Sequence, residues 1–143
     1  MQTESEIILV EDNMSDADLV MRALRKNNLV NNVLHLQDGQ QALDHIFGNS
    51  ENKMLIQPKL IILDLKMPKV NGLEVLEQLK LDELTKSIPV VILTSSTEDP
   101  DLEKCYRLGA NSYVVKPVVF DDFIKAIAHV GLYWLLVNVP PKK

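Results

Sequence analysis

The side chains of this chain that could do chemistry follow short apolar runs. Three of them are carboxylates, those of Glu11, Asp12 and Asp64, and the other two are the hydroxyl of Thr94 and the ammonium of Lys116. The runs before the three carboxylates and before Thr94 are wholly apolar, which is typical of strands that are buried on both faces of a parallel sheet. Because the carboxyl ends of parallel strands lie at one edge of a sheet, where open α/β folds bind ligands, we expect these five groups to converge there.

A cluster of three carboxylates needs a counter-charge, since like charges within a few Å raise one another's pKa. A divalent cation that prefers oxygen ligands supplies one, and Mg²⁺ is the natural candidate because it binds one or two carboxylates together with phosphate oxygens. Thr94 can donate a hydrogen bond, and Lys116 adds a compact positive charge. Metal, hydroxyl and ammonium around Asp64 predict a site that stabilises a phosphoryl group on that carboxylate.

The elements that must position these groups alternate along the chain. Five apolar runs predict strands, and each is followed by apolar residues at helical spacing. The predicted strands are 7–10, 33–36, 60–63, 90–93 and 112–115. Strands joined by helical crossovers indicate one α/β domain in which a parallel sheet carries helices on both faces.

Several local signals set the expected ends of the helices. Ser15 is expected to cap the first helix, with Asp18 three residues further on as an approximate capping box. The pair Asp99 and Pro100 predicts the start of the fourth helix, and a last helix is expected from about Phe120. The polar segment 48–58 is expected to be a long loop before the third strand.

Composition excludes several classes of function. The chain has 143 residues and a formal charge of −5, which argues against a nucleic-acid-binding protein. The polar N-terminus resembles no signal peptide, and the apolar segment 130–139 is too short to cross a bilayer, so no membrane contact is expected. Cys105 is the one cysteine, which excludes an internal disulfide and is in keeping with a cytoplasmic location.

The site residues together resemble the receiver domain of two-component response regulators. The resemblance rests on Glu11-Asp12, on Asp64 with Pro68 and Gly72, on Thr94-Ser95 and on Lys116-Pro117, and it extends from about residue 7 to residue 130. It implies the flavodoxin-like, doubly wound fold, with five parallel strands in the order 2-1-3-4-5 and five helices. We therefore expect a single receiver domain over residues 1–143, with a core at about 6–130 and a C-terminal helical extension at 131–143.

The resemblance also implies roles for the acidic residues. Asp64 would be the phosphoacceptor, and Asp12 and Asp64 would bind Mg²⁺ directly. The backbone carbonyl of Lys66 would be a further ligand, and Glu11 would act mainly through water. These four residues form the metal site that the resemblance predicts.

The phosphate-binding and switch residues follow in the same way. Thr94 and the Ser95 amide would hold phosphoryl oxygens, and Lys116 would pair with the phosphate. The bond to Pro117 is expected to be cis, as is typical of this family. Phosphorylation would draw Thr94 toward the phosphate and turn Tyr113 inward, which would remodel the surface formed by the fourth helix, the fifth strand and the fifth helix.

The segment at 131–137 and the long loop resemble those of the single-domain regulators that are paired with bacterial phytochromes. The partner is therefore expected to be a sensor histidine kinase, and this likeness points to a phytochrome-like one. The apolar extension either folds back over its own domain or leaves an exposed apolar surface. We favour a homodimer in which Tyr133 and Trp134 contribute to the interface.

The resemblance implies a phosphoacceptor that catalyses its own phosphorylation and slow dephosphorylation and no other reaction. With no effector domain expected after residue 137, output would come from contact with a downstream protein or from return of the phosphoryl group in a relay. A phosphorylation-independent scaffold of the same fold is the alternative. A phosphatase with an aspartate nucleophile is disfavoured, because such enzymes need a second acid at the position of Lys66.

Overall fold

Five parallel strands form a single sheet in the computed structural model of the protein, which describes residues 7–26, 33–47, 58–67, 70–95, 100–117, 119, 121–122 and 125–126. The strands are β1 (Ile7–Val10), β2 (Val33–Leu36), β3 (Leu60–Asp64), β4 (Val90–Thr94) and β5 (Ser112–Val115). Their order across the sheet is β2-β1-β3-β4-β5, and every neighbouring pair is parallel. The predicted α/β fold and strand order are confirmed.

Helices connect successive strands. Their bounds are α1 (Met14–Lys26), α2 (Gly39–Phe47), α3 (Gly72–Leu81) and α4 (Pro100–Leu108). Residues 121–122 and 125–126 are also helical, where the fifth helix was expected. The expected loop at 48–58, except for residue 58, and the extension at 131–143 lie outside the described residues. No helix in the described part of the chain is long and apolar enough to cross a membrane.

The cap of the first helix lies two residues earlier in the chain than the sequence suggested. Helix α1 starts at Met14, and the side-chain oxygen of Asn13 accepts a hydrogen bond from the backbone N–H of Asp16 at 2.9 Å. The carbonyl of Asn13 also accepts from the N–H of Ala17 at 2.9 Å. The prediction that Ser15 caps this helix was wrong, because Ser15 already lies inside the first turn and Asn13 satisfies the free N–H groups.

The core consists of two apolar layers, one on each face of the sheet. Successive residues of a strand point to opposite faces, so β1, β3 and β4 contribute buried residues to both layers. Alternate strand residues such as Leu9 and Ile62 pack against α1, and their neighbours such as Ile8 and Ile61 pack against α2, α3 and α4. This double burial explains why the strands are apolar at nearly every position.

The sheet register brings the carboxyl ends of the strands together. Val10 lies opposite Leu63, so Glu11 follows at the level of Asp64. On the other side of β3, Asp64 pairs with Leu93, and the N–H of Leu65 donates to the carbonyl of Leu93 at 3.2 Å. The polar residues that follow the strands therefore lie along one edge.

The backbone of Asp64 is packed tightly against the start of α3. A Cβ atom on Gly72 would lie 2.1 Å from the carbonyl oxygen of Asp64 and 2.8 Å from the Cα atom of Leu65. The N–H of Gly72 also donates to the carbonyl of Leu65 at 2.9 Å. Because both close atoms belong to the backbone, this contact has room for glycine alone.

Replacing Gly72 with alanine should therefore destabilise the protein by about 1–3 kcal/mol, although alanine is the better helix former by about 1 kcal/mol. Chemical denaturation monitored by circular dichroism measures this change in the free energy of unfolding. Gln78→Ala, at an exposed position of the same helix, is the control. A Gly72→Ala protein as stable as the control would contradict the close packing.

Candidate functional site

Three carboxylates meet at the carboxyl edge of the sheet. Glu11, Asp12 and Asp64 each offer an oxygen atom, and these atoms lie within 4.8 Å of one another. Glu11 is fully buried and Asp64 is 3% exposed, whereas Asp12 is exposed. The structure thus brings together the acidic residues that the sequence singled out.

The cluster opens into a cavity of about 240 Å³. Six residues predicted to serve the site line this cavity: Asp12, Asp64, Lys66, Thr94, Ser95 and Lys116. Leu65 and Leu93 contribute the apolar part of its wall, and Asn13 completes the lining. A space of this kind, polar and open at the sheet edge, can admit a small anionic group beside Asp64.

The ammonium group of Lys116 lies close to both buried acids and partly compensates their negative charge. The Nζ atom of Lys116 lies 3.3 Å from Oδ1 of Asp64 and 3.1 and 3.2 Å from the two carboxylate oxygens of Glu11. It also lies 3.0 Å from Oδ2 of Asp16. Lys116 is partly buried, so these contacts are screened by solvent much less than surface ion pairs are.

The carboxylates of this cluster are harder to ionise than free ones. Burial raises the pKa of Glu11 to about 7 and the charge of Asp64 adds to this, against the opposing effects of the Asn13 N–H and the Lys116 ammonium. Burial also raises the pKa of Asp64, against the opposing charge of Lys116. For Lys116, burial acts to lower the pKa, but the carboxylates of Asp16, Asp64 and Glu11 outweigh it and raise the pKa.

The site has the composition that a hard divalent cation requires. Its possible ligands are all oxygen atoms, and within the described residues the buried Oε1 atom of Glu11 accepts no hydrogen bond of acceptable geometry. The Lys116 ammonium is near this atom, at 3.1 Å, but compensates its charge without completing its hydrogen bonding. Mg²⁺ or a water molecule bound to it would satisfy such an oxygen, so the residues present fit this ion.

Lys66 and the residues at the end of β4 lie where the phosphate site was expected. The backbone N–H of Lys66 donates to Oδ1 of Asp64 at 3.3 Å, and its side chain is exposed. Thr94 is 2% exposed at the last position of β4, and the exposed Ser95 follows it at the cavity wall. Lys66, Thr94 and Ser95 therefore line the same cavity as Asp64, and each carries a donor group.

The predicted switch residue lies away from the cavity. Tyr113 is 37% exposed, and its ring packs edge-to-face against the ring of Tyr106 on α4, with centroids 6.1 Å apart and an interplanar angle of 79°.

The backbone after β5 has the expected cis bond, between Lys116 and Pro117. The N–H of Lys116 donates to the carbonyl of Thr94 at 2.7 Å. Tyr133 and Trp134, the predicted interface residues, lie outside the described residues.

Three contributors to the site were not found from the sequence. Asn13 donates its N–H to Oε2 of Glu11 at 3.0 Å, and Nε2 of His35 donates to the backbone carbonyl of Glu11 at 2.9 Å. Asp16 is the third, through its contact with Lys116. The sequence does show that Asp16 is an acid close to Glu11 and Asp12 and near the start of the first helix, which could have marked it as a contributor to the site. Nothing in the sequence places His35 beside Glu11.

The sequence matches one protein family, described as the response regulator receiver domain, over residues 7–128. The probable methanogenesis regulatory protein FilR2 of Methanothrix harundinacea is 41% identical over 135 residues, which make up 94% of this chain and 86% of FilR2. Response regulator Rcp1 of Synechocystis is 35% identical over 129 residues, which make up 90% of this chain and 88% of Rcp1.

Solved structures show the same similarity. The bacteriophytochrome response regulator RtBRR superposes with a TM-score of 0.82 and 47% identity, covering 96% of this chain and 84% of that one. The Mn²⁺-bound form of Rcp1 superposes with a TM-score of 0.74 and 34% identity, covering 95% of this chain and 98% of that one. The likeness thus extends over almost the whole chain.

A divalent cation at this cluster should bind more tightly as the pH increases through about 7, because burial raises the pKa of Glu11 to about 7. Below that pH the carboxyl group holds a proton, which must leave before its negative charge can favour the cation. Calorimetric titrations with Mg²⁺ at pH 6 and pH 8 measure the difference. Glu11→Gln should bind Mg²⁺ more weakly at pH 8 and lose most of the pH dependence, whereas equal affinities of the wild type at both pH values would contradict this role.

Proposed function

The chain belongs to the receiver domain family of two-component response regulators, and from that premise we propose that Asp64 accepts a phosphoryl group from a sensor histidine kinase. The observation that carries this proposal is the position of Asp64. Its carboxylate is 3% exposed, lies 3.3 Å from the Lys116 ammonium and borders a polar cavity. A carboxylate buried in this way, with cationic and hydroxyl neighbours, is suited to carry a second anionic group.

The transfer needs little covalent machinery. An oxygen of Asp64 attacks the phosphorus of a phosphohistidine, so that an O–P bond forms as the P–N bond breaks and the imidazole nitrogen keeps the electron pair. Lys116, Thr94 and the Ser95 amide offset the negative charge of the phosphoryl oxygens during this in-line exchange. The protein then contributes position and electrostatics and acts on no substrate other than its own Asp64.

Mg²⁺ is the proposed cofactor. Asp12, Asp64 and the backbone carbonyl of Lys66 would hold it, with Glu11 acting through water, and it would neutralise charge on the phosphoryl oxygens. Support comes from the all-oxygen ligand set and from the Mn²⁺-bound structure of Rcp1, since Mn²⁺ is a divalent ion of similar ligand preference.

The proposed output is a change in the surface around β5. Phosphorylation would draw the hydroxyl of Thr94 toward the phosphoryl group, and Tyr113 would turn inward from its exposed position against Tyr106. A downstream protein, or a phosphotransfer protein that takes the phosphoryl group onward, would recognise the changed surface.

The proposed partner is a phytochrome-like histidine kinase in the cytoplasm. The high identity with RtBRR, which is named a bacteriophytochrome response regulator, supports this choice. FilR2, a relative of comparable identity, is named for a different pathway. The proposal of a phytochrome-like kinase therefore rests on the similarity to RtBRR and not on membership of the family alone.

Wild-type protein incubated with Mg²⁺ and acetyl phosphate should gain the mass of a phosphoryl group, while Asp64→Ala should gain none. Intact-mass spectrometry measures the gain. Asp44→Ala, which removes an exposed carboxylate of α2, is the control and should be labelled like the wild type. Equal labelling of the wild type and Asp64→Ala would defeat the proposal, and absence of label from both would favour the phosphorylation-independent scaffold.

We also propose that the chain forms a homodimer through its apolar extension, in which Tyr133 and Trp134 lie close together in sequence. Sedimentation equilibrium should give a dimer mass for the wild type and a mass closer to the monomer for Trp134→Ala. Trp134→Phe, which keeps an aromatic ring, is the matched control. A dimer mass for Trp134→Ala would contradict the proposed role of Trp134 in the interface.

A further inference from the structure

The ammonium of Lys116 contacts an acid that does not belong to the carboxylate cluster at the strand ends. This acid is Asp16, on the first turn of α1, and its Oδ2 atom lies 3.0 Å from Nζ. That is the shortest of the contacts between Lys116 and carboxylates, and the two side chains are 19% and 17% exposed. A pair so sheltered is stronger than an exposed ion pair.

The position of Asp16 is fixed by the same backbone that holds Glu11. Asn13 caps α1 by accepting a hydrogen bond from the N–H of Asp16 at 2.9 Å. Its own N–H donates to Oε2 of Glu11 at 3.0 Å. The first turn of α1 is therefore tied to the site, and the carboxylate of Asp16 comes to Lys116 on a rigid element.

The ammonium has three N–H donors, and its nitrogen lies within 3.3 Å of oxygen atoms of three carboxylates, those of Glu11, Asp16 and Asp64. Two of these belong to the cluster that fits a divalent cation, and Asp64 is also the acceptor. Their interactions with Lys116 must change when a cation and a phosphoryl group bind. Asp16 lies outside that cluster, so its contact with the ammonium can persist through both events.

We propose that Asp16 is a positioning residue, which holds the Lys116 ammonium beside Asp64 while the cation and the phosphoryl oxygens take over the other carboxylates. The effect of Asp16 on the rate of phosphorylation rests on the proposed function, whereas the anchoring of Lys116 by Asp16 does not. A lysine side chain has four rotatable carbon–carbon bonds and a compact charge, so it needs a fixed partner to keep one position. Asp16 supplies that partner from α1.

The test compares Asp16→Asn with Asp18→Asn. Both replace an aspartate of α1 with its amide, but Asp18 pairs with Arg22 at the surface, where the two side chains are 52% and 68% exposed. At saturating Mg²⁺, Asp16→Asn should be phosphorylated by acetyl phosphate about tenfold more slowly than the wild type, as expected from the loss of one charge-assisted hydrogen bond. Asp18→Asn should retain the wild-type rate, and Asp16→Glu should recover part of it.

Two kinetic outcomes overturn the proposal. If Asp16→Asn and Asp18→Asn react at the same rate, the contact has no positioning role. If the rate of Asp16→Asn returns to that of the wild type once Mg²⁺ is saturating, Asp16 acts through the metal rather than through Lys116.

Nuclear magnetic resonance of the ¹⁵N-labelled lysine ammonium groups tests the anchoring without any phosphorylation. The Lys116 signal should be protected from hydrogen exchange in the wild type and in Asp18→Asn, and its exchange should accelerate in Asp16→Asn. Unchanged exchange in Asp16→Asn overturns the proposal. If the wild type takes up no phosphoryl group but this difference in exchange is found, the proposed function fails and the anchoring of Lys116 stands.

Discussion

The structure depends on the balance between buried carboxylates and one ammonium at the carboxyl edge of the sheet. Taking an ionised carboxylate out of water costs on the order of several kcal/mol, and attraction to a nearby cation repays this only with good geometry. Glu11 and Asp64 are both almost fully buried, and Lys116 lies within 3.3 Å of each. Burial raises the pKa of both acids although the Lys116 ammonium opposes this, so their charges are only partly compensated. A cluster of this kind fits a divalent cation.

The rest of the fold delivers these groups to one place. Strands buried on both faces can only be apolar, so ionisable side chains appear where the strands end, and parallel pairing puts those ends at the same edge. The close approach of Gly72 to the carbonyl of Asp64 then fixes Asp64 against α3. A sheet that tolerated slippage by one residue would send Asp64 to the opposite face, and the deeply packed core on both sides prevents this.

Sequence patterns predicted the elements and the residues at the strand ends, because both follow from local periodicity and chain order. They failed where the outcome depends on the direction of one side chain. Ser15 and Asn13 are both acceptable caps, and they lie two positions apart in the chain. Composition does not reveal which of the two caps the helix. The contacts of His35 and Asp16 with the site join residues far apart in the chain, and periodicity carries no information on such pairs.

The net charge of the site explains why one divalent cation suits the proposed phosphoryl acceptor. When all are ionised, the four acids around Lys116 leave a net charge of −3 after its own charge is counted; they are Glu11, Asp12, Asp16 and Asp64. A divalent cation reduces this net charge to −1. Conversion of the Asp64 carboxylate to its acyl phosphate adds about one further negative charge. Under the proposed function, the ammonium would then be drawn toward the phosphoryl oxygens, and Asp16 would limit how far it moves. The free energy of the phosphorylated state would therefore depend on α1 as well as on the strand ends.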